Sequence, residues 1–343
     1  MRRGAVVAVV AGLATLVPAG VWLSGIAAAA DEAQIIGVLS LPGYPNDVFV
    51  RDGLAYVGIG GADGALAVAD VSDPANLRLL GLLEFGSAVN SVTADGGFVF
   101  MADDFGFRVV DVSDPAAPSL VATVGTNGMA KRVWLNGPFA YVACGVQGLS
   151  VVDVSNPLDP ILVGEVSVPG QAVGVCTAGG NLFVAAMEEG LQTLDASEPS
   201  APVALGAMPT VDHALGVFPG PGLVYLSWCG GLIVADIADP SNPREVGSVT
   251  MPDIAYVSVV KDGLAYVPCR AGGLQVVDVS VPDSPTVVAS VEIEGEVLAV
   301  AVADAVRETA EQAPEAGEGS QAASSRAYIV GYPLGLAVIQ LDP

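Results

Sequence analysis

The sequence predicts an all-β chain: a seven-bladed β-propeller made of four-stranded repeats of 41 or 42 residues. Three observations carry that expectation. A short motif recurs as DVSDP at 70–74 and 111–115, DVSNP at 153–157, DASEP at 195–199, DIADP at 236–240 and DVSVP at 278–282. The leading Asp residues lie 41 or 42 positions apart, and self-similarity at a fixed period of this size marks a repeat architecture. Each unit then divides into four apolar runs of strand length, punctuated by Gly and Pro, with no sustained helical period.

In the unit that starts near residue 158, the runs are 160–168, 172–177, 182–186 and 191–195. Val151-Val152 and residues 264–267 are apolar on both faces. A strand with one wet face would alternate, whereas the middle strands of a blade lie between two neighbouring blades. Units beginning near 35, 75, 116, 158, 200, 241 and 283 make seven.

The chain opens on Met1-Arg2-Arg3 and then runs uncharged to Ala30, with Ala28-Ala29-Ala30 before Asp31. A basic start, an apolar stretch and small residues at its end are the layout of a secretory signal. Residues 1–30 are therefore expected to be a signal peptide, or an uncleaved anchor given the length of the apolar part; Pro18 favours removal. Residues 31–343 are expected to form the propeller, outside the cytoplasm. Residues 35–41 match the first run of a unit and so predict an outermost strand. The chain ends on a third strand, 335–341, so the two are expected to pair and close the ring, which removes an exposed sheet edge.

The innermost strands are expected at 48–50, 92–94, 133–135, 173–177, 215–218, 255–260 and 297–302. Asp-Gly turns such as 52–53 and 262–263 supply the positive-φ positions of tight hairpins. The strand that follows repeats an aromatic at Tyr56, Phe100, Tyr141, Tyr225, Tyr266 and Tyr328, expected as core between blades. The Asp-Val-Ser-Asp-Pro segment is expected to cap turns with its own side chains; two carboxylates fall short of a Ca²⁺ loop. Residues 303–325, rich in Ala, Glu, Gly, Ser and Gln, interrupt the last blade as a disordered acidic insertion.

The runs GLSVVDVSNP, GLQVVDVSVP and FRVVDVSDP resemble the repeat of the LVIVD family of bacterial and archaeal surface-associated proteins. The likeness covers nearly all of the chain after residue 34. It implies a propeller-like scaffold and brings no catalytic residue. The last unit departs from the pattern, with Gln340 where the leading Asp would stand.

The net charge is −25, and losing Arg2 and Arg3 with the leader makes it more acidic. That excludes nucleic acid as a partner, which needs a basic footprint. It also excludes docking on anionic lipid; a membrane is involved only if the leader stays as an anchor. The partner is expected to be a protein or a small polar ligand, and the chain a monomer. Of the four cysteines, Cys229 and Cys269 lie on neighbouring blades and could pair. Without CxxC spacing no thiolate metal site is expected, and no cofactor. The single histidine, His213, follows Asp212, and adjacent strand residues point to opposite faces.

Candidate ligand-binding residues are those that break the repeat where loops enter the innermost strands or join the second and third strands. They are Asn46, Asp47, Asn90, Asp103, Asp104, Lys131, Arg132, His213, Trp228 and Arg270, with Glu188 and Glu189 beside them. These are expected to ring the mouth of the central channel. The functional expectation is an exported binding scaffold with no catalytic set. The alternatives are an enzyme using Asp47, Lys131, Arg132 and His213, and a Ca²⁺-dependent adhesion module.

Overall fold

The computed structural model describes residues 33–304 and 325–341. Within them the chain forms seven four-stranded antiparallel sheets, each an up-and-down run from the channel outward. Blade one spans 44–84, two 89–124, three 132–166, four 174–208, five 214–250 and six 259–291. Blade seven combines Glu296–Asp304, Ser325–Tyr332 and Gly335–Leu341 with the N-terminal strand Gln34–Leu39. The expected closure is present: Ile35 pairs with Ile339, Val38 with Ala337 and Leu39 with Leu336.

The core lies between blades. Val57, Ala67 and Val338 of blades one and seven share one buried cluster, and Tyr141, Val151, Leu182 and Leu194 of blades three and four share another. The aromatic row is buried at every position, with Phe183 supplying the one missing from the sequence reading. A second device joins neighbours at the rim. Gly164, in the outer strand of blade three, faces the Ser200 carbonyl in the motif turn of blade four, where a Cβ would overlap backbone. Gly37 plays the same part between the N-terminal strand and Pro74 of blade one.

The recurring motif is a pair of side-chain-capped turns. The carboxylate of Asp70, Asp111, Asp153, Asp195, Asp236 or Asp278 accepts the backbone N–H two residues on, at 2.8–3.1 Å. Asp73, Asp114 and Asp239 repeat the arrangement one step later. Those bonds hold the six leading carboxyls below the usual Asp value, chiefly through the backbone N–H, and at Asp70 and Asp278 first through the Ser hydroxyl. A depressed folded-state pKa adds stability above the unfolded value of about 3.9, and that stability is lost as pH falls through the folded value. The urea midpoint is therefore expected to decline from pH 5 to pH 3, and Asp153→Asn, which keeps the acceptor without the titration, to flatten that decline. A midpoint constant over the interval would contradict this origin.

Two expectations are corrected. The innermost strand of blade six covers only Val259–Lys261, not 255–260; Tyr256 still donates its N–H to the Pro268 carbonyl, but no ladder forms there. The insertion begins later and ends earlier than expected, because the flanking strands include Ala303, Asp304 and Ser325; the rest of it, and the leader 1–30, lie outside the described residues. All four cysteines are free thiols, so Cys229 and Cys269 do not pair.

Candidate functional site

In blades one to six the channel wall is built at one repeat position in, or in blade six just before, the innermost strand, and its two halves use different chemistry. In blades one to three the position holds Asp47, Ser91 and Arg132. Asp47, 3 % exposed, accepts the Val92 N–H of blade two at 2.9 Å. Its other oxygen meets Arg132 of blade three at 3.2 Å. One carboxylate therefore ties three blades across the channel. Ser91 accepts the Val133 N–H in the same way. In blades four to six the position holds Gly174, Gly216 and Val257, and strands approach backbone to backbone. A Cβ on Gly174 would meet Gly216, and one on Gly216 would meet Val257.

The predicted site residues divide accordingly. Asn46 and Asn90 are seams: their amides donate to the Val89 and Ala130 carbonyls of the next blade at 3.0 and 2.9 Å. Asn90 also donates to the exposed Asp104. Asp103 is fully buried and holds its own turn through the Phe105 and Gly106 N–H groups. Lys131 is half-buried and its backbone N–H joins the ladder at Ala143. On this side Asn46, Asp47, Asn90, Asp103 and Arg132 are thus engaged in contacts within the chain. Asp47 and Arg132 are engaged with each other, and among the described residues neither contacts His213.

The other side differs. Across the blade seven–blade one seam Tyr44 stacks on Tyr332, with ring centroids 4.1 Å apart. Tyr332 and its hydrogen bond, then burial and the Glu296 charge, push the Tyr44 phenol up. Glu296 pairs with Arg270 at 2.8 Å. Burial raises the Tyr256 phenol, Arg270 opposes this, and Glu296, Asp253 and Cys229 add to it. Asp253 accepts the Ala271 N–H, and burial and then Asp212 raise the Cys229 thiol. Asp212 contacts His213 at 2.6 Å. An arc of polar and aromatic groups thus runs from blade one through seven and six to five. A hollow of about 340 Å³ beside Tyr44, lined by Pro42, Gly60, Asp63 and Glu84, lies at its end.

Of the predicted residues the arc contains His213 and Arg270, while Glu188 and Glu189 are exposed on the blade-four turn. Trp228 is half-buried and folds back over its own hairpin onto Gly230, where a Cβ would overlap the indole. The sequence reading missed Tyr44, Asp212, Cys229, Asp253, Tyr256, Glu296 and Tyr332. Asp212 and His213 do not point apart as expected: they lie in the loop before blade five, where the carboxylate turns onto both the backbone N–H and the ring of His213. Another hollow, of about 650 Å³, opens on the opposite face between blades four and five, lined in part by Asn181, Pro219 and Pro240.

The family model of the LVIVD repeat matches residues 42–83, 86–126, 127–168, 169–210, 222–251 and 255–293. The chain belongs to the LVIVD-repeat family. The matched segments follow the blades, beginning after the innermost strand in blade five, and leave out the seventh sheet, which is assembled from both ends of the chain. No curated protein matches the sequence. Among solved structures the fold is similar to Saccharomyces cerevisiae Sqt1, at 12 % identity and TM-score 0.65, over 91 % of this chain and 100 % of that one. It is also similar to the computationally designed Ika8 protein, at 10 % identity and TM-score 0.61, over 90 % and 100 %. At these identities the likeness concerns the fold alone.

Proposed function

We propose that this LVIVD-repeat propeller is an exported binding scaffold whose partner, a protein or small polar ligand, docks on the arc at the channel mouth across blades five, six, seven and one. The observation that carries the reading is the asymmetry of that face. Side chains on blades one to three are spent on ties between blades. Those from Asp212 to Tyr44 include the exposed Arg270 and the exposed rings of Tyr44 and Tyr332, residue types enriched at recognition sites. Arg270 adopts φ 38° in its turn, a conformation unfavourable for a residue with a Cβ, where blade three has Gly145 at φ 61°. Blade four holds Met187 at φ 49° in the same place, so the backbone conformation belongs to the repeat and the exposed guanidinium is what is particular to blade six. Export rests on the leader 1–30; among the described residues no helix is long and apolar enough to cross a membrane.

A photo-crosslinking residue at exposed Ala271, on the arc, is expected to trap partner from the producing cell's envelope or medium. The same group at exposed Pro138, in a turn on the opposite face, is expected to trap none. Equal labelling from both faces, or none from either, would reject the placement. Fractionation tests export separately: the chain is expected outside the cytoplasm with its N-terminus at Asp31, and inside when residues 2–30 are deleted.

A further inference from the structure

We infer that Asp212, His213 and Cys229 form a binding site for a divalent first-row transition ion of the zinc type. Their ligand atoms all lie within 4.8 Å of one another. Ligands on a tetrahedral ion at zinc distances are separated by about 3.3–3.8 Å, so the set closes around an ion by roughly an ångström.

Backbone geometry explains why these residues meet. Ala214 of blade five pairs with Trp228 across the first hairpin, and the Cys229 N–H donates to the His213 carbonyl at 3.1 Å. That bond continues the pairing one residue past the strand ends and makes His213 and Cys229 cross-strand neighbours, whose side chains share a face. Asp212 completes the group. Its carboxylate accepts the His213 backbone N–H at 2.7 Å and sits 2.6 Å from Nδ1. A carboxylate on one ring nitrogen fixes the tautomer and leaves Nε2 to face a metal, the arrangement usual around metal-bound histidine. Asp212 can hold the ring in this way, or give its second oxygen to the ion directly.

The donor types choose the ion. One thiolate, one imidazole and one carboxylate suit zinc, cobalt or copper; Ca²⁺ and Mg²⁺ require oxygen ligands and, for Ca²⁺, six or more of them. Two protein donors, or three when Asp212 ligates, on an exposed rim leave the remaining positions for water or a group from a partner. CxxC spacing could not have revealed the site, because its donors come from two segments joined only by the hairpin. The site lies at the blade-five end of the docking arc, and ion binding there does not depend on a partner.

The test uses the full chain purified without a polyhistidine tag and kept reduced, so that His213 is its single imidazole. Titration with Co²⁺ is expected to give one-to-one binding, a thiolate-to-cobalt charge-transfer band and quenching of the adjacent Trp228. Zn²⁺ is expected to displace the band, and Ca²⁺ and Mg²⁺ to leave it unchanged. Cys229→Ser should abolish the band, while Cys144, Cys176 and Cys269 stay buried. His213→Gln should weaken binding by more than 100-fold, and Asp212→Asn by about 10- to 100-fold. Circular dichroism checks that each variant is folded. Absence of saturable one-to-one binding, or a band that survives Cys229→Ser, would overturn the assignment. Crosslinking from position 271 reports on the partner whichever way this result falls.

Discussion

A chain lacking residues 31–41 is expected to lose about 5 kcal/mol or more of stability and to self-associate. The N-terminal strand contributes three half-buried aliphatic side chains, Ile35, Ile36 and Leu39. Partial burial of each adds roughly 1 kcal/mol, and each ladder hydrogen bond to the C-terminal strand adds about 1 more. Its pairing is the outermost contact of blade seven, and Gly37 receives the motif turn of blade one. Removal therefore loosens two blades and bares the 335–341 edge, including the otherwise paired Ile339 and Val338. A total near 5 kcal/mol is a large share of the 5–15 kcal/mol typical of a folded protein, and an unpaired edge invites association. Urea denaturation and light scattering measure the two effects. A peptide of residues 31–41 added in trans should restore the midpoint, and deleting residues 306–322 should shift it by less than about 0.6 kcal/mol. An unchanged midpoint in the truncated, monomeric chain would show that the ring does not need this strand.

That closure was legible because it follows from counting. A chain that begins on an outer strand and ends on a third strand must complete one sheet from both ends. The motif turns were legible for a similar reason: Asp153 and Ser155 are two residues apart, and their hydrogen bond is local. What escaped was set by the circle rather than the line. Asp47 and Arg132 stand 85 residues apart and occupy the same position of their repeats, so each looked like a free mouth residue. Only the radius of the closed ring brings them together. Asn46 and Asn90 were misread in the same way, because a polar side chain breaking a repeat can serve the next blade as well as a ligand. Tyr332 and Tyr44 face each other only across the closing seam. The His213 reading failed on local grounds: residues 209–213 are irregular, so strand alternation did not govern Asp212.

The sharpest consequence of that lesson concerns Asp103, which the sequence offers as a ligand residue and the structure makes a support. Asp103→Ala is expected to cost about 3–5 kcal/mol, the range for stripping one partner from a buried ion pair. The side chain is 0 % exposed. One oxygen accepts the Phe105 and Gly106 N–H groups at 2.9 Å. The other accepts the Ser87 hydroxyl at 2.9 Å and lies 2.6 Å from Arg108 Nε, off the hydrogen-bond direction, as an ion pair. Arg108 is only 12 % exposed and lies over the Phe85 ring, 4.9 Å from its centroid. Without the carboxylate that guanidinium keeps its aromatic contact and loses its counter-charge, while two turn N–H groups lose their acceptor. Asp103→Asn retains one acceptor oxygen and should cost less, roughly 2 kcal/mol. The double variant Asp103→Ala/Arg108→Ala should be less destabilised than the sum of the singles, since no unpaired charge remains. If Asp103 instead served a ligand, Asp103→Ala would leave the urea midpoint within about 0.5 kcal/mol of the parent and weaken partner capture from position 271; the buried network predicts the reverse, a fall in stability with capture by the remaining folded protein intact.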